Sequence, residues 1–319
     1  MRLCRFELEA RPTVGFYFDS RVVPLESAGS AYTQSTGEPI TFPTTDNLLE
    51  FLPPNGSVTA SAKRLFGWLT AQGPELAAVE SLEVESVQLL VPIPRPNKLF
   101  LLAGNYAAHI EEGGQHAVER AETFPYVFMK PSTTTLRNPG AEVALPSVSP
   151  DAIDYELELA VIIGRHAKGI SEAEALDYVA GYTVVNDISN RRFRPNPNRR
   201  ERPRDAFFDW MHGKWHDGFC PCGPCVTSAD AIPDPQTLAM QLAINGDIRQ
   251  DASTALQIFP VAAVIEFIAS LVTLEPGDII STGTPSGVGA PQQLFLQPGD
   301  RITASIAGIG TLETPIVRP

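Results

Sequence analysis

The segment DYELELAVIIG (Asp154–Gly164) constrains the fold more than any other stretch of this chain. It has the length and apolar content of a buried strand, yet it carries Glu156 and Glu158 two residues apart. Strand side chains alternate between faces. Both carboxylates therefore point one way, joined by Asp154, while Tyr155, Leu157 and Leu159 face the other way and suit a core. Such a strand either lies at a sheet edge with a solvated acidic face, or gathers its charges around a cation. A second apolar run, GYTVVNDIS, brings Asp187 to the end of its own strand, and three oxygen ligands from two strands suit Mg²⁺ or Mn²⁺. Without a cation, packing the three together costs on the order of several kcal/mol in repulsion and desolvation.

The rest of the chain reads as an α+β, β-rich fold. Residues 1–92 form a small α/β unit, with strands expected at Arg2–Leu8, Thr13–Phe18 and Arg21–Pro24 and helical stretches near Thr45–Leu52 and Ala60–Thr70. The proline-punctuated VPIPRPNK (Val91–Lys98) marks a boundary, and residues 93–319 form the larger domain. Within it, Leu99–Gly104, Tyr155–Gly164 and Ala180–Asp187 read as strands. Ser171–Tyr178 reads as a short helix with a Ser171/Glu174 capping box, and Asn245-Gly246 as a type I′ hairpin turn. Pro260–Thr273 has helical apolar spacing.

An apolar content of 43% over 319 residues is ample for a large core. A net charge of -13 disfavours a nucleic-acid partner. No apolar run is long enough for a membrane helix, and the alternating N-terminus reads as a strand rather than a signal peptide, so a cytoplasmic protein is expected. Three of the four cysteines fall in CPCGPC (Cys220–Cys225). That spacing lacks the second paired half of a zinc site, and the thiols read as small apolar fillers.

Outside the acidic strands, His109 and Glu112 stand three apart in NYAAHIEEGG. On a helical turn they are neighbours: either a surface pair, or a general base oriented by a carboxylate. Lys130 and Lys214 are either snorkelling surface lysines or cations directed into an anionic site. His212 and His216 flank Lys214 and can line the same site. Seven arginines lie within Arg191–Arg204, in a Pro-stiffened loop that is either solvated or a lid over an anionic substrate. STGTPSGVGA is suited to cradling an anion but lacks the end of a nucleotide-binding P-loop.

The motifs GNYAAHIEE, FMKPSTT, DYELELAVIIG, GYTVVNDIS, GKWHDG, STGTPSGVG and PGDRITASIAGIG follow one another in an order that resembles the fumarylacetoacetate hydrolase superfamily, from about Phe100 to the C-terminus. The resemblance implies a mixed β-sheet/β-roll catalytic domain. It implies Mg²⁺ or Mn²⁺ on Glu156, Glu158 and Asp187, and a His109–Glu112 pair on a mobile lid. Lys214 would face the reacting group, and Tyr106, Lys130, Arg191 and Thr284 the rest of a small anionic 2-keto acid. A homodimer and no membrane partner are implied as well. The reaction so implied is hydrolysis of a C–C bond in a 2,4-diketo acid of the acylpyruvate type. Oxaloacetate decarboxylation, isomerisation of a 2-hydroxy-dienoate, or a non-catalytic binding role are the alternatives. Two departures bear on substrate. Asn190-Arg191-Arg192 stands where the family usually has Ala-Arg-Asp, and Lys214-Trp215-His216-Asp217 where it often has Lys-Ser-Phe-Asp.

Overall fold

The computed structural model describes residues 1–72 and 79–319. Its spine is a twelve-stranded, largely antiparallel sheet. The main path of that sheet runs Leu82–Glu83, Arg21–Pro24, Arg11–Phe18, Arg2–Leu8, Cys220–Ser228, Val179–Asn186, Leu157–Ile163, Ile279–Ser281, Leu99–Ala103 and Tyr126–Met129. The two acidic strands lie at its middle, and every residue of both is buried. This is why they read as near-continuous apolar runs: both faces of the sheet are covered. Leu157, Leu159, Val161 and Ile163 pack in one core cluster with Val264, Ile265 and Ile268 of the helix Val261–Leu271. Ala160 and Ile162 pack on the opposite face with Leu3, Phe16, Leu65 and Leu69. The face that bears Glu156 and Glu158 is therefore apolar along most of its length and acidic only at its start.

A second sheet of five strands packs against the first core: Asp247–Ser253, Ala239–Ile244, Arg301–Ile306, Gly310–Val317 and Val143–Ala144. Its hairpin turns at Asn245 (φ 52°) and Gly246 (φ 89°), the two positive φ values that a type I′ turn requires. A two-stranded ladder joins Ile153–Asp154 to Ser189–Asn190. Residues 1–92 extend the large sheet: Arg2 pairs with Thr227 and Leu3 with Val226, so hydrogen bonding runs unbroken from the first unit into the second.

Two local expectations change, and one helix appears where none was expected. Thr45–Leu52 holds only a 3₁₀ turn, Leu48–Glu50, with the Asn47 side chain accepting from the Leu49 N–H; Pro53 and Pro54 cannot continue a helix there. Leu25–Thr36, rich in Ser, Thr and Gly, is a helix that its composition hides, closed by Gly37 at φ 75°. Glu172–Tyr178 has the expected capping box, but its turns are 3₁₀.

Candidate metal centre and active site

Antiparallel pairing of Leu157 with Asn186 and Glu158 with Val185 carries Asp187 alongside Glu156, and the Asp187 N–H donates to the Glu156 carbonyl at 2.8 Å. One carboxylate oxygen each from Glu156, Glu158 and Asp187 fall within 4.8 Å of one another, and all three residues are buried. The solvated-edge alternative is thereby removed. Asp154 stands apart from the trio. Its carboxylate accepts from the Gly289 and Ala290 N–H groups and from Arg191 Nε, because the short Ile153–Asp154 ladder turns it toward the glycine loop.

Cations crowd this acidic centre. Lys214 Nζ lies 2.8 Å from Glu156 Oε2 and 2.5 Å from Asp187 Oδ2. Arg191 bridges Asp154 and Glu156. Lys130 Nζ lies 2.5 Å from Asp187 Oδ1, an ion pair whose angle is not that of a hydrogen bond. Burial acts to raise Glu156, but Lys214, Arg191 and His109 outweigh it and hold that carboxyl far below the usual range. Burial acts to lower Lys214, and Asp187 and Glu156 outweigh it and raise it. Glu158 has no cation of its own. Burial, then the charges of Asp187 and Glu156, push it up to about 8. Its Oε2 accepts from the Gly283 N–H at 2.9 Å, while Oε1 is buried without a partner. Four carboxylates thus face three cationic side chains, and the unmatched oxygen belongs to one of the three clustered residues. That donor set, all carboxylate and short of positive charge, fits a hard divalent cation.

Above the centre opens a cavity of about 830 Å³, walled in part by His109, Glu112, Glu156, Arg191, Lys214 and Thr284. His109 and Glu112 lie on the short helix Ala107–Glu112. Glu112 Oε1 is 2.8 Å from His109 Nδ1, and Glu112 Oε2 accepts from the Gly287 N–H at 2.8 Å. The pair is latched onto the glycine loop rather than free on the surface. With Nδ1–H donated to Glu112, the imidazole presents Nε2 as its basic nitrogen. Gly287 has φ 101°, and a Cβ there would lie 2.1 Å from the Arg249 carbonyl, so the loop position requires glycine.

Not every expected residue reaches the cavity wall. Lys130 lies behind Asp187, fully buried, donating to the carbonyls of Ile188 and Phe219; it holds the acidic centre from the rear. Tyr106 is core, its hydroxyl 3.4 Å from Met240 Sδ, because the strand–helix junction turns its ring inward. His212 packs on the Trp215 ring, and His216 between Phe193 and Phe219, where burial lowers its pKa. Only Arg191 of the arginine loop enters the centre. Arg194, Arg199 and Arg202 pair with Glu201, Asp205 and Asp209, and Arg192 reaches Gln293. Cys220 and Cys222 fill one core and Cys225 the other.

Two supporting residues carry no sequence signal. Asn105 donates to the carbonyls of Phe259 and Thr282 and accepts from the Phe259 N–H, stapling the base of the His109 helix. Gln250 accepts from the Leu157 N–H and donates to Thr284 Oγ1 and the Pro285 carbonyl, fixing the glycine loop against the acidic strand. A buried amide on a hairpin strand is distinguishable from an exposed one only once its neighbours are known.

A buried Glu-Glu-Asp trio in and beside two paired strands, with a latched His–Glu pair on the adjoining cavity, in a strand-rich α+β fold, has the donor set to hold a hard cation. The chain belongs to the fumarylacetoacetate hydrolase family: the description of that family's C-terminal domain matches residues 98–317. It is 38% identical over 246 residues to the 2,4-didehydro-3-deoxy-L-rhamnonate hydrolase of Sphingomonas sp. (strain SKA58), covering 74% of this chain and 81% of that one. It is 35% identical over 238 residues to a mitochondrial oxaloacetate tautomerase of Xenopus laevis, covering 74% and 70%. The crystal structure of maleylpyruvate hydrolase from Sphingobium sp. SYK-6, in complex with manganese(II) and pyruvate, superposes with a TM-score of 0.69 at 30% identity, covering 100% of this chain and 99% of that one.

Proposed function

We propose that this protein is a Mg²⁺- or Mn²⁺-dependent hydrolase that cleaves a 2,4-diketo acid of the acylpyruvate type into pyruvate and a carboxylic acid. The observation that carries the reading is a cavity lined by His109, Glu112 and Glu156, the last of these clustered with the buried carboxylates of Glu158 and Asp187. The hydrolase relatives, one of them with manganese and pyruvate together, support it.

When bound by the three carboxylates, the cation supplies Lewis acidity to the 2-keto acid oxygens. Arg191 and Thr284 orient the substrate carboxylate. His109 Nε2 takes a proton from water as the water oxygen bonds to the C4 carbonyl carbon, and Glu112 stabilises the imidazolium formed. The C3–C4 bond then breaks, and its electron pair passes into the pyruvate enolate opposite the Lys214 ammonium. Return of the proton from His109 to C3 completes pyruvate, and the former C4 leaves as the carboxylic acid.

The decisive measurement is pyruvate release from acylpyruvates with and without Mn²⁺. Metal-dependent release, abolished in Glu158→Ala, supports the reading; no release with any acylpyruvate removes it. A second reading, proton transfer without bond cleavage, draws on the tautomerase relative. It predicts enol–keto interconversion of oxaloacetate that needs His109 while acylpyruvates stay intact. Oxaloacetate decarboxylation would appear in the same panel as carbon dioxide. The proposed working form is a cytoplasmic homodimer acting on a small anion, with no nucleic-acid or membrane partner. Among the described residues no helix is long and apolar enough to cross a membrane. Light scattering on the purified protein tests the dimer.

A further inference from the structure

Every charged group that can greet an anion in the cavity lies at its acidic end. Among the described lining residues the cationic ones are Arg191 and Lys214, and His109 is the one other basic side chain. Each is committed to the centre: His109 to Glu112, Arg191 to Asp154 and Glu156, Lys214 to Glu156 and Asp187. From Lys214 outward the wall is aromatic. Its ammonium lies 5.3 Å from the Phe128 ring and 5.9 Å from that of Trp210. Trp210 meets Phe128 edge-on with centroids 4.9 Å apart, and Phe207 lies 5.9 Å beyond it. On the same cavity Phe124 contacts Tyr126 at 5.4 Å and Phe267 at 6.1 Å.

Three of these rings, Phe124, Tyr126 and Phe207, are more than half exposed, at 58%, 64% and 56%. Exposed aromatic area gains free energy when a ligand covers it. A carboxylate placed among the rings would lose its hydration with no cation to replace it. From this arrangement we infer that the acyl half of the substrate is neutral and apolar, an aryl or extended alkyl group, and not one ending in a second carboxylate. The 2-keto acid end reacts at the acidic centre, and the acyl end lies along Phe128 and Trp210 toward Phe124 and Phe267. This rests on the acylpyruvate reading for the reaction, but its selectivity follows from the wall alone.

The experiment compares butanoylpyruvate with succinylpyruvate, matched in length and differing by a terminal carboxylate, and adds benzoylpyruvate. Turnover and calorimetric binding are both measured on the manganese-supplied full chain. Expected are a kcat/KM and an affinity at least about tenfold higher for butanoyl than for succinyl, with benzoyl the best of the three. Phe124→Arg, which puts a cation among the rings at an exposed position, should narrow the butanoyl-to-succinyl ratio. Equal or tighter binding of succinylpyruvate overturns the inference, as does binding of none of the three. Tighter binding of the neutral compounds without hydrolysis upholds it while removing the proposed reaction.

Discussion

In the proposed reaction His109 does chemistry while the residues around it hold geometry, and substitutions should separate the two. His109→Ala should lower turnover by about 100- to 10,000-fold, the usual range for a general base, with manganese affinity by calorimetry little changed. Lys130→Met should behave in the opposite way. It removes one of the two buried cations on Asp187 and leaves that carboxylate with Lys214 alone. A loss of about 3 kcal/mol in urea unfolding is expected, together with about 10- to 100-fold weaker manganese binding. Glu158 sets a pH dependence. Its folded-state pKa is raised from 4.5 to about 8, so the metal-free folded protein keeps a proton that the unfolded chain has lost across that window. The stability this contributes is complete below about pH 4.5 and is lost as pH rises through about 8. A bound cation displaces the proton. The rise in Tm on adding Mn²⁺ should therefore be larger at pH 8 than at pH 6, and an equal rise at both would contradict the placement of Glu158. His109 with Glu112 was readable as a helical-turn pair. That Glu112 has a second partner in the Gly287 N–H was not, since 175 residues separate them.

At the scale of elements, the site depends on one loop lying flat against one strand. Residues Thr282 to Ala290 supply N–H groups to Glu158, Glu112 and Asp154 through Gly283, Gly287 and Gly289. Gly287→Ala should push the loop away from Arg249, break the contact with Glu112 and lower kcat by at least about tenfold, while manganese binding persists. The elements themselves are unevenly legible in the sequence. Strands buried on both faces and the Asn245-Gly246 hairpin announced themselves through apolar runs and turn chemistry. The helix Leu25–Thr36 did not, because its sequence LESAGSAYTQST has few strong helix formers, and packing of Leu25, Ala28 and Tyr32 on the core stabilises it instead.

Across the whole molecule, the N-terminal 92 residues are joined to the rest by a shared sheet and a shared core. Deleting them would leave Cys220–Ser228 with an open edge where Arg2 and Leu3 now pair. It would also uncover Ala160, Ile162, Val185 and Val226. The truncated chain should aggregate in size-exclusion chromatography, and a monodisperse, metal-binding truncation would show the two units to be independent.

The sequence by itself determined that three carboxylates lie in or at the ends of two apolar strands, and that a histidine and a glutamate share a helical turn. These are local facts, governed by the two- and 3.6-residue periods of strand and helix. Only the tertiary structure decided which cations face the acidic trio, because ion pairing in a buried centre depends on chain segments far apart in sequence. It moved Lys130 behind the site and Tyr106 into the core, drew Arg191 out of an otherwise solvated arginine loop, and built an aromatic wall from separate stretches around Phe124, Trp210 and Phe267. The acidic strand that set the fold's requirements also left Glu158 one positive charge short, and burial at the centre of a twelve-stranded sheet is why a proton or a bound cation is favoured there.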